Sequence, residues 1–399
     1  MKVLVAMSGG VDSSVAAKLL TDGGHTCIGC TMKLYGNEDA GISRAHTCCS
    51  LDDVEDARSV ACRLGMPYYV FNFSDSFREK VIGKFIDSYC RGITPNPCID
   101  CNRYMKFDKL FERAKVLGCD HVATGHYARI TFENGKYLLK KAADPSKDQS
   151  YVLYDMTQEQ LAHTLFPLGG LCKTETRRIA EESGFLNAEK PDSQDICFVP
   201  DGDYAAVIEL HTGKKAEPGD FVDSSGRVLG RHNGIIRYTI GQHRGLGLHL
   251  PEKKYVCRIC PESNTVVLGD EEELYRREVL VGQFRWISGE APREAIRCKA
   301  KLRYRQPERW TRAEPADGGI VRLTFDEPQR AVTPGQAAVL YDGDTLLGGG
   351  VILLSANKAL SWLFAAIFLS AAGSPAAETF WDCKTCRFVL YYGKWRKTI

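Results

Sequence analysis

Over the first third of the chain, short apolar runs alternate with stretches of helical period. Residues 3–7 and 26–32 are continuous apolar or near-apolar runs, each long enough for one buried strand. Between them a Gly/Ser turn leads into a predicted helix over residues 14–20, stopped by Gly23 and Gly24. Ser50 can cap a helix in which Val54, Ala57, Ala61 and Leu64 line one face, and Gly65 can end it. Pro67 then precedes a strand at 68–73, residues 77–89 read as helix, and the Gly/Pro-rich stretch 92–97 forces a loop. A helix over 107–117 is stopped by Gly118 and followed by a strand at 121–124. Strand–helix alternation of this kind predicts an α/β fold with a doubly wound parallel sheet covered on both faces.

From about Gly202 the rhythm changes to short strands punctuated by Pro218-Gly219-Asp220, Ser225-Gly226, Asn233-Gly234 and Asp342-Gly343. The expected organisation is an α/β domain at 1–203 and a small β-rich domain at 204–275. A barrel-like β domain at 276–356 and an atypical tail at 357–399 follow. In the third of these, Arg297, Lys299, Lys301, Arg303 and Arg305 recur at every second position, so a strand there would put five cations on one face. Such a stripe suits a phosphate backbone, because like charges repel unless an anion covers them. It could also serve to protect a sheet edge.

The turn after the first strand is the most informative local feature. Ser8, Gly9, Gly10, Asp12, Ser13 and Ser14 place small residues, hydroxyls and a helix N-terminus where backbone amides can meet a phosphate chain. The spacing and lysine of a Walker A loop are absent. The order S-G-G-x-D-S resembles instead the pyrophosphate-binding loop of N-type ATP pyrophosphatases, which split ATP between the α- and β-phosphates and adenylate a substrate oxygen.

Composition narrows the setting. The 399 residues carry a net charge of +2, so contact with nucleic acid must come from a local patch. Met1-Lys2 leads straight into the first strand, from which no signal peptide and a cytoplasmic location are expected. Residues 359–377 are charge-free but interrupted by Ser, Gly and Pro, so an appended apolar helix is expected rather than a membrane span. The 16 cysteines then suggest reduced thiols, metal or catalysis. Of the C-x-x-C pairs, Cys27/Cys30 and Cys257/Cys260 fall in predicted strands, where side chains three apart face opposite ways. Cys383/Cys386 in the tail would need further ligands from elsewhere to hold a metal. Cys98/Cys101 is expected in an irregular loop held by Pro95 and Pro97, and Cys197 in another loop.

Several motifs occur in one order. They are the 8–14 turn, Cys48-Cys49-Ser50, Asn96-Pro97-Cys98-Ile99-Asp100-Cys101-Asn102 and Thr124-Gly125-His126-Tyr127. Lys147-Asp148-Gln149-Ser150-Tyr151, Asp195-Ile196-Cys197-Phe198 and Tyr238-Thr239-Ile240-Gly241-Gln242 follow. Together they resemble the tRNA-specific 2-thiouridylases, the bacterial MnmA family, over residues 1 to about 352. The resemblance implies ATP contacts at Ala6, Met7, Ser8, Gly9, Gly10, Val11, Asp12, Ser13, Met32 and Gly125, with Mg²⁺ on the pyrophosphate. It implies a nucleophilic or resolving thiol at Cys101, a persulfide at Cys197 and a redox disulfide between them. Target-base contacts fall at Asn96, Pro97 and Cys98. Contacts to tRNA fall at His126, Lys147, Asp148, Gln149, Arg303, Tyr304 and Gln336. The implied partners are tRNA, a sulfur donor (a persulfide carrier or cysteine desulfurase system) and a reductant.

One position departs from the family pattern: Cys98 stands where many members have Asp. Cys98, Cys101 and Cys197 then form a three-thiol set, which in related thiouridylases holds a 4Fe-4S cluster with one open iron. A persulfide–disulfide route and a cluster route both stay open on the sequence. Two other readings are an adenylating ligase or amidotransferase using an amine, for which these thiols are dispensable, and a non-catalytic tRNA-binding protein.

Overall fold

Five parallel strands form the first sheet: β1 (Lys2–Ala6), β2 (Thr26–Lys33), β3 (Tyr68–Asn72), β4 (His121–Ala123) and, further on, Thr164–Leu165. The computed structural model describes residues 1–36, 38–40, 51–192, 196–199 and 202–353. The motif Cys48-Cys49-Ser50, residue Asp195, the apolar stretch 359–377 and Cys383/Cys386 lie outside the described residues. The strand order β3-β2-β1-β4, with Thr164–Leu165 outermost, reverses direction between β1 and β4. In an open parallel sheet, ligands bind at the carboxyl ends of the strands flanking that reversal. Alternation within β1 and β2 feeds two cores. Val3, Val5 and Cys27 pack on one side, and Leu4, Ala6, Ile28 and Cys30 on the other.

Helix α1 (Val11–Asp22) begins three residues before the expected start. Gly10 takes an extended N-cap conformation, so Val11, Asp12 and Ser13 supply the first helical turn. A second departure concerns Cys98 and Cys101, expected in an irregular loop. They lie in the opening turns of a continuous helical run made of Pro97–Asp100, Cys101–Lys109 and Leu110–Val116. The Asn96 side chain caps it by accepting from the Cys98 amide at 3.1 Å, and Pro97 occupies the first helical position. Both residue types favour a helix start there.

A hairpin of β5 (Ala128–Glu133) and β6 (Lys136–Lys141) leaves the first sheet. Beyond it comes a four-stranded sheet of Gly219–Val222, Val228–His232, Tyr255–Cys260 and Thr265–Gly269. The last sheet contains Tyr275–Trp286, Ile296–Lys301, Arg309–Ala316, Ile320–Arg330, Ala337–Asp342 and Thr345–Ile352, and pairing of the first of these with the last closes it into a barrel. β6 joins that barrel through Lys140 and Leu139, opposite Thr345 and Leu346. The hairpin therefore ties the nucleotide-binding sheet to the barrel, a connection no local sequence pattern announced.

The predicted cationic stripe is cut short. Cys298, Ala300 and Leu302 are buried, as alternation requires, but the strand ends at Lys301. Lys301 lies 6.0 Å over the Tyr341 ring and Arg303 turns inward, because each side chain finds partners in the protein there. Among the described residues, no helix is long and apolar enough to cross a membrane.

Candidate active site

The loop after β1 and the loop after β4 meet at the sheet's reversal point. Gly9 has φ +76°, and a Cβ there would lie 2.4 Å from the Asp53 carbonyl oxygen, so only glycine fits. A Cβ on Gly125 would lie 2.8 Å from the Asp12 carbonyl carbon and the Ser13 amide. That close approach puts Thr124-Gly125-His126 directly against the first turn of α1. The Ser13 hydroxyl receives the Ser8 amide at 3.1 Å and donates to the Gly10 carbonyl at 3.0 Å. The first-turn amides of α1 have no partner within the helix and carry its positive dipole end, which is what a phosphate chain requires.

Of the expected ATP contacts, Ala6, Met7, Val11 and Ser13 are buried, and Met7 already bonds through both its amide and its carbonyl to β2. Ser8, Gly10 and Asp12 are the more exposed members of the loop. Asp12 is held from two directions. The Tyr127 hydroxyl donates to it at 2.8 Å, and Lys173 Nζ lies at 2.6 Å. Lys173 also meets Asp192 at 2.7 Å, and Asp192 further pairs with Lys147 at 2.9 Å and Arg177 at 3.3 Å. Burial pushes the Asp192 carboxyl up, but the hydrogen bonds from Lys147 and Lys173 outweigh it and leave the group below its ordinary range. Lys173, Arg177 and Asn187, which donates to the Gly9 carbonyl at 2.8 Å, are site residues the sequence reading missed. Their partners lie far away along the chain, so nothing local marked them. A Mg²⁺ ion on a pyrophosphate needs only one or two protein carboxylates. Asp12 is the acidic side chain in the loop that suits this role.

The thiols lie on the side of β1 and β2 toward the 97–116 helix. Cys101 and Cys197 are partly exposed and both pack against the apolar cluster that includes Phe77, Phe85, Met105 and Phe198. The Tyr35 hydroxyl donates to the Cys197 carbonyl and anchors its loop. Burial pushes the Cys101 thiol up, with Lys106 pulling the other way. Cys98 is exposed at the helix start. Tyr304 of the barrel sits close enough for the Cys98 thiol, after burial and Asp148, to help raise its phenol. Asn96, Pro97, Cys98 and Tyr304 thus gather at one edge. Among the described residues, no group of three His, Cys, Asp or Glu side chains could hold a metal ion. The three cysteines as placed do not fit a 4Fe-4S cluster.

The residues expected to touch tRNA divide by exposure. Lys147, Gln149, Arg303, Tyr304 and Gln336 are partly exposed. His126 is buried, its Nδ1 2.6 Å from the Thr124 hydroxyl and its Nε2 3.3 Å from Lys106 Nζ. Asp148 is buried and accepts from the amide and hydroxyl of Ser150. Gln149 accepts from the Tyr127 amide, and Gln336 donates to the Thr94 carbonyl at 2.9 Å. Arg303 donates to the carbonyls of Ile240 and Ala331 and to the Thr333 hydroxyl, and burial lowers its pKa. Asp148, Gln149, Gln336 and Arg303 hold loops of the site in shape.

Comparison with known proteins accounts for the motif order. A family model described as tRNA methyl transferase HUP domain matches residues 1–201. Models described as tRNA methyl transferase PRC-barrel domain and Aminomethyltransferase beta-barrel domain match 206–270 and 276–352. The chain is 52% identical over 354 residues to tRNA-specific 2-thiouridylase MnmA of Acetivibrio thermocellus, covering 88% of this chain and 99% of the relative. The MnmA of Clostridioides difficile is 49% identical over 353 residues, 88% of this chain and 98% of the relative. The chain belongs to the tRNA-specific 2-thiouridylase family. For a thiouridylase the relevant features are the glycine loop at the sheet reversal and the cysteines at 98, 101 and 197, exposed or partly exposed.

Proposed function

We propose that this enzyme carries out ATP-dependent 2-thiolation of the wobble uridine, position 34, of tRNA. The observation that carries the reading is the joining of two loops at the sheet reversal. Ser8 to Ser13 offer a phosphate cradle, and Gly125 leads through His126 toward the helix of Cys98 and Cys101. A uridine 2-oxygen is a poor leaving group. Its attack on the α-phosphate of ATP releases pyrophosphate and makes it the oxygen of AMP, a good one. Mg²⁺ would neutralise charge on the pyrophosphate, with Asp12 as its protein ligand.

The terminal sulfur of a Cys197 persulfide then attacks C2, and AMP leaves with the oxygen. The Cys101 thiolate attacks Cys197 Sγ, breaking the S–S bond and leaving its electron pair on the sulfur attached to C2. A Cys101–Cys197 disulfide results, which a dithiol reductant returns to two thiols. A sulfur donor must reload Cys197. Reduced thiols at these positions suit the cytoplasm.

The test is a pair of variants, Cys101→Ser and Cys197→Ser, assayed with unmodified tRNA, ATP and a persulfide donor. Both should still form pyrophosphate in the presence of tRNA while making no 2-thiouridine detectable by nucleoside mass analysis. Full thiolation by either variant would overturn the assigned roles.

A further inference from the structure

We propose that Lys106 is the cation that meets negative charge at the Cys101 sulfur, and that His126 positions it. The inference rests on the reading of Cys101 as a reactive thiol. It begins with an unusual turn of helix. The Cys101–Lys109 segment is bonded i→i+5, and the Leu110 amide following it donates to the Met105 carbonyl. In an ordinary α-helix the fifth residue along is rotated by about 140° from the first, onto another face. In an i→i+5 helix it stands one turn above, on the same face. Lys106 is the fifth residue after Cys101. Side chains lean toward a helix N-terminus, so Lys106 leans back toward the cysteine's turn.

The far side of Lys106 is fixed as well. Its Nζ lies 3.3 Å from His126 Nε2, and His126 Nδ1 lies 2.6 Å from the Thr124 hydroxyl. His126 is buried between Phe107 and Phe166, with burial and then the Lys106 charge holding it well below its ordinary pKa. A neutral imidazole with Nδ1–H donating to Thr124 leaves Nε2 to accept from the ammonium. Thr124 and His126 flank Gly125, which touches Asp12 and Ser13. Lys106 therefore bridges the nucleotide loop and the thiol. Among the described residues, the charged groups that act on Cys101 are Lys106 and Asp100, and Asp100 is paired with Lys84 at 2.6 Å. Lys106 alone of these favours the anion, against burial and Asp100.

The test uses the full-length reduced protein at one fixed pH, with iodoacetamide as probe and peptide mass analysis at Cys101 as readout. Lys106→Met should slow alkylation of Cys101 about tenfold, as one unit of thiol pKa would, and lower kcat for thiolation while leaving the KM for ATP within about twofold. Lys106→Arg should restore most of both rates. Wild-type alkylation in Lys106→Met would overturn the proposal. So would a Lys106→Arg variant as slow as Lys106→Met, which is what a packing role gives. Alkylation reads Lys106 whether or not Cys101 is catalytic, and the Cys101→Ser assay tests the underlying reading separately.

Discussion

The ammonium of Lys173 lies 2.6 Å from the carboxylate of Asp12, joining the loop after β1 to a helix that begins 161 residues later. The same ammonium reaches Asp192, on the segment that leads toward Cys197, and the Lys173 side chain is only 11% exposed. Removing this charge leaves two carboxylates facing each other across a partly buried gap. Lys173→Met should cost about 2 kcal/mol, below the range for a fully buried pair because Asp12 and Asp192 keep partial solvent access. Urea unfolding reads that cost. Pyrophosphate release should fall further than stability alone explains, because Asp12 loses its orientation. A variant with wild-type stability and release would refute the link.

Two neighbouring glycines should behave differently. Gly9→Ala forces a Cβ against the backbone of Asp53 in a left-handed conformation, so it should lower the unfolding temperature even without nucleotide. A Cβ on Gly10 would meet only the Ser8 hydroxyl, at 3.5 Å, so Gly10→Ala should fold normally. On the proposed function it would nonetheless stand where the phosphate chain meets the α1 amides. The expected result is an unchanged melting curve with a KM for ATP raised by about tenfold or more, equivalent to about 1.4 kcal/mol or more. Unaltered ATP kinetics in Gly10→Ala would place the phosphates elsewhere.

Local patterns in the chain revealed the parallel sheet, the glycine turn and the thiols, because each depends on neighbours in sequence. Cys27 and Cys30 read as buried residues on opposite faces of a strand, and they are. Signals that compete locally were harder. Pro97 suggested a loop, yet proline at the first helical position after an asparagine cap starts a helix. Of the five alternating cations, Arg297, Lys299 and Lys301 lie in a strand as expected. Where that strand ended was not, because Arg303 is drawn inward by carbonyls of Ile240 and Ala331 from distant segments. The Asp12–Lys173–Asp192 chain and the pairing of β6 with the barrel exist only once the chain has folded.

Burial of His126 sets a pH dependence. Its ordinary pKa is 6.5, and in the folded protein it is held well below that value. The unfolded chain therefore binds a proton at this residue under conditions where the folded protein does not. Stability from this residue is present above pH 6.5 and is lost as pH falls below it. Unfolding free energy measured by urea should decline as the pH is lowered from neutrality through the ordinary histidine range, and His126→Gln should flatten that decline. An equal slope in the variant would show that other groups cause it.

The barrel offers a contrast between a cation that supports the fold and cations left at the surface. Arg303 spans the four-stranded sheet's loop at Ile240 and the barrel at Ala331 and Thr333. Arg303→Met strands those acceptors at about 1–3 kcal/mol for each one left buried, so it should act mainly on the melting temperature. Trp310, 47% exposed, stands instead beneath Arg297 at 5.2 Å and Lys299 at 5.1 Å, with Arg312 opposite Arg297 across the strands. Arg297 also pairs with Asp326, an exposed pair that adds little to stability. An aromatic face flanked by cations suits a backbone phosphate and a stacked base. The double variant Arg297→Gln/Lys299→Gln should keep its melting temperature while weakening tRNA binding. It should also flatten the dependence of log affinity on log salt by roughly one to two units, one for each phosphate no longer neutralised. Binding and salt slope equal to wild type would remove this face from the tRNA path.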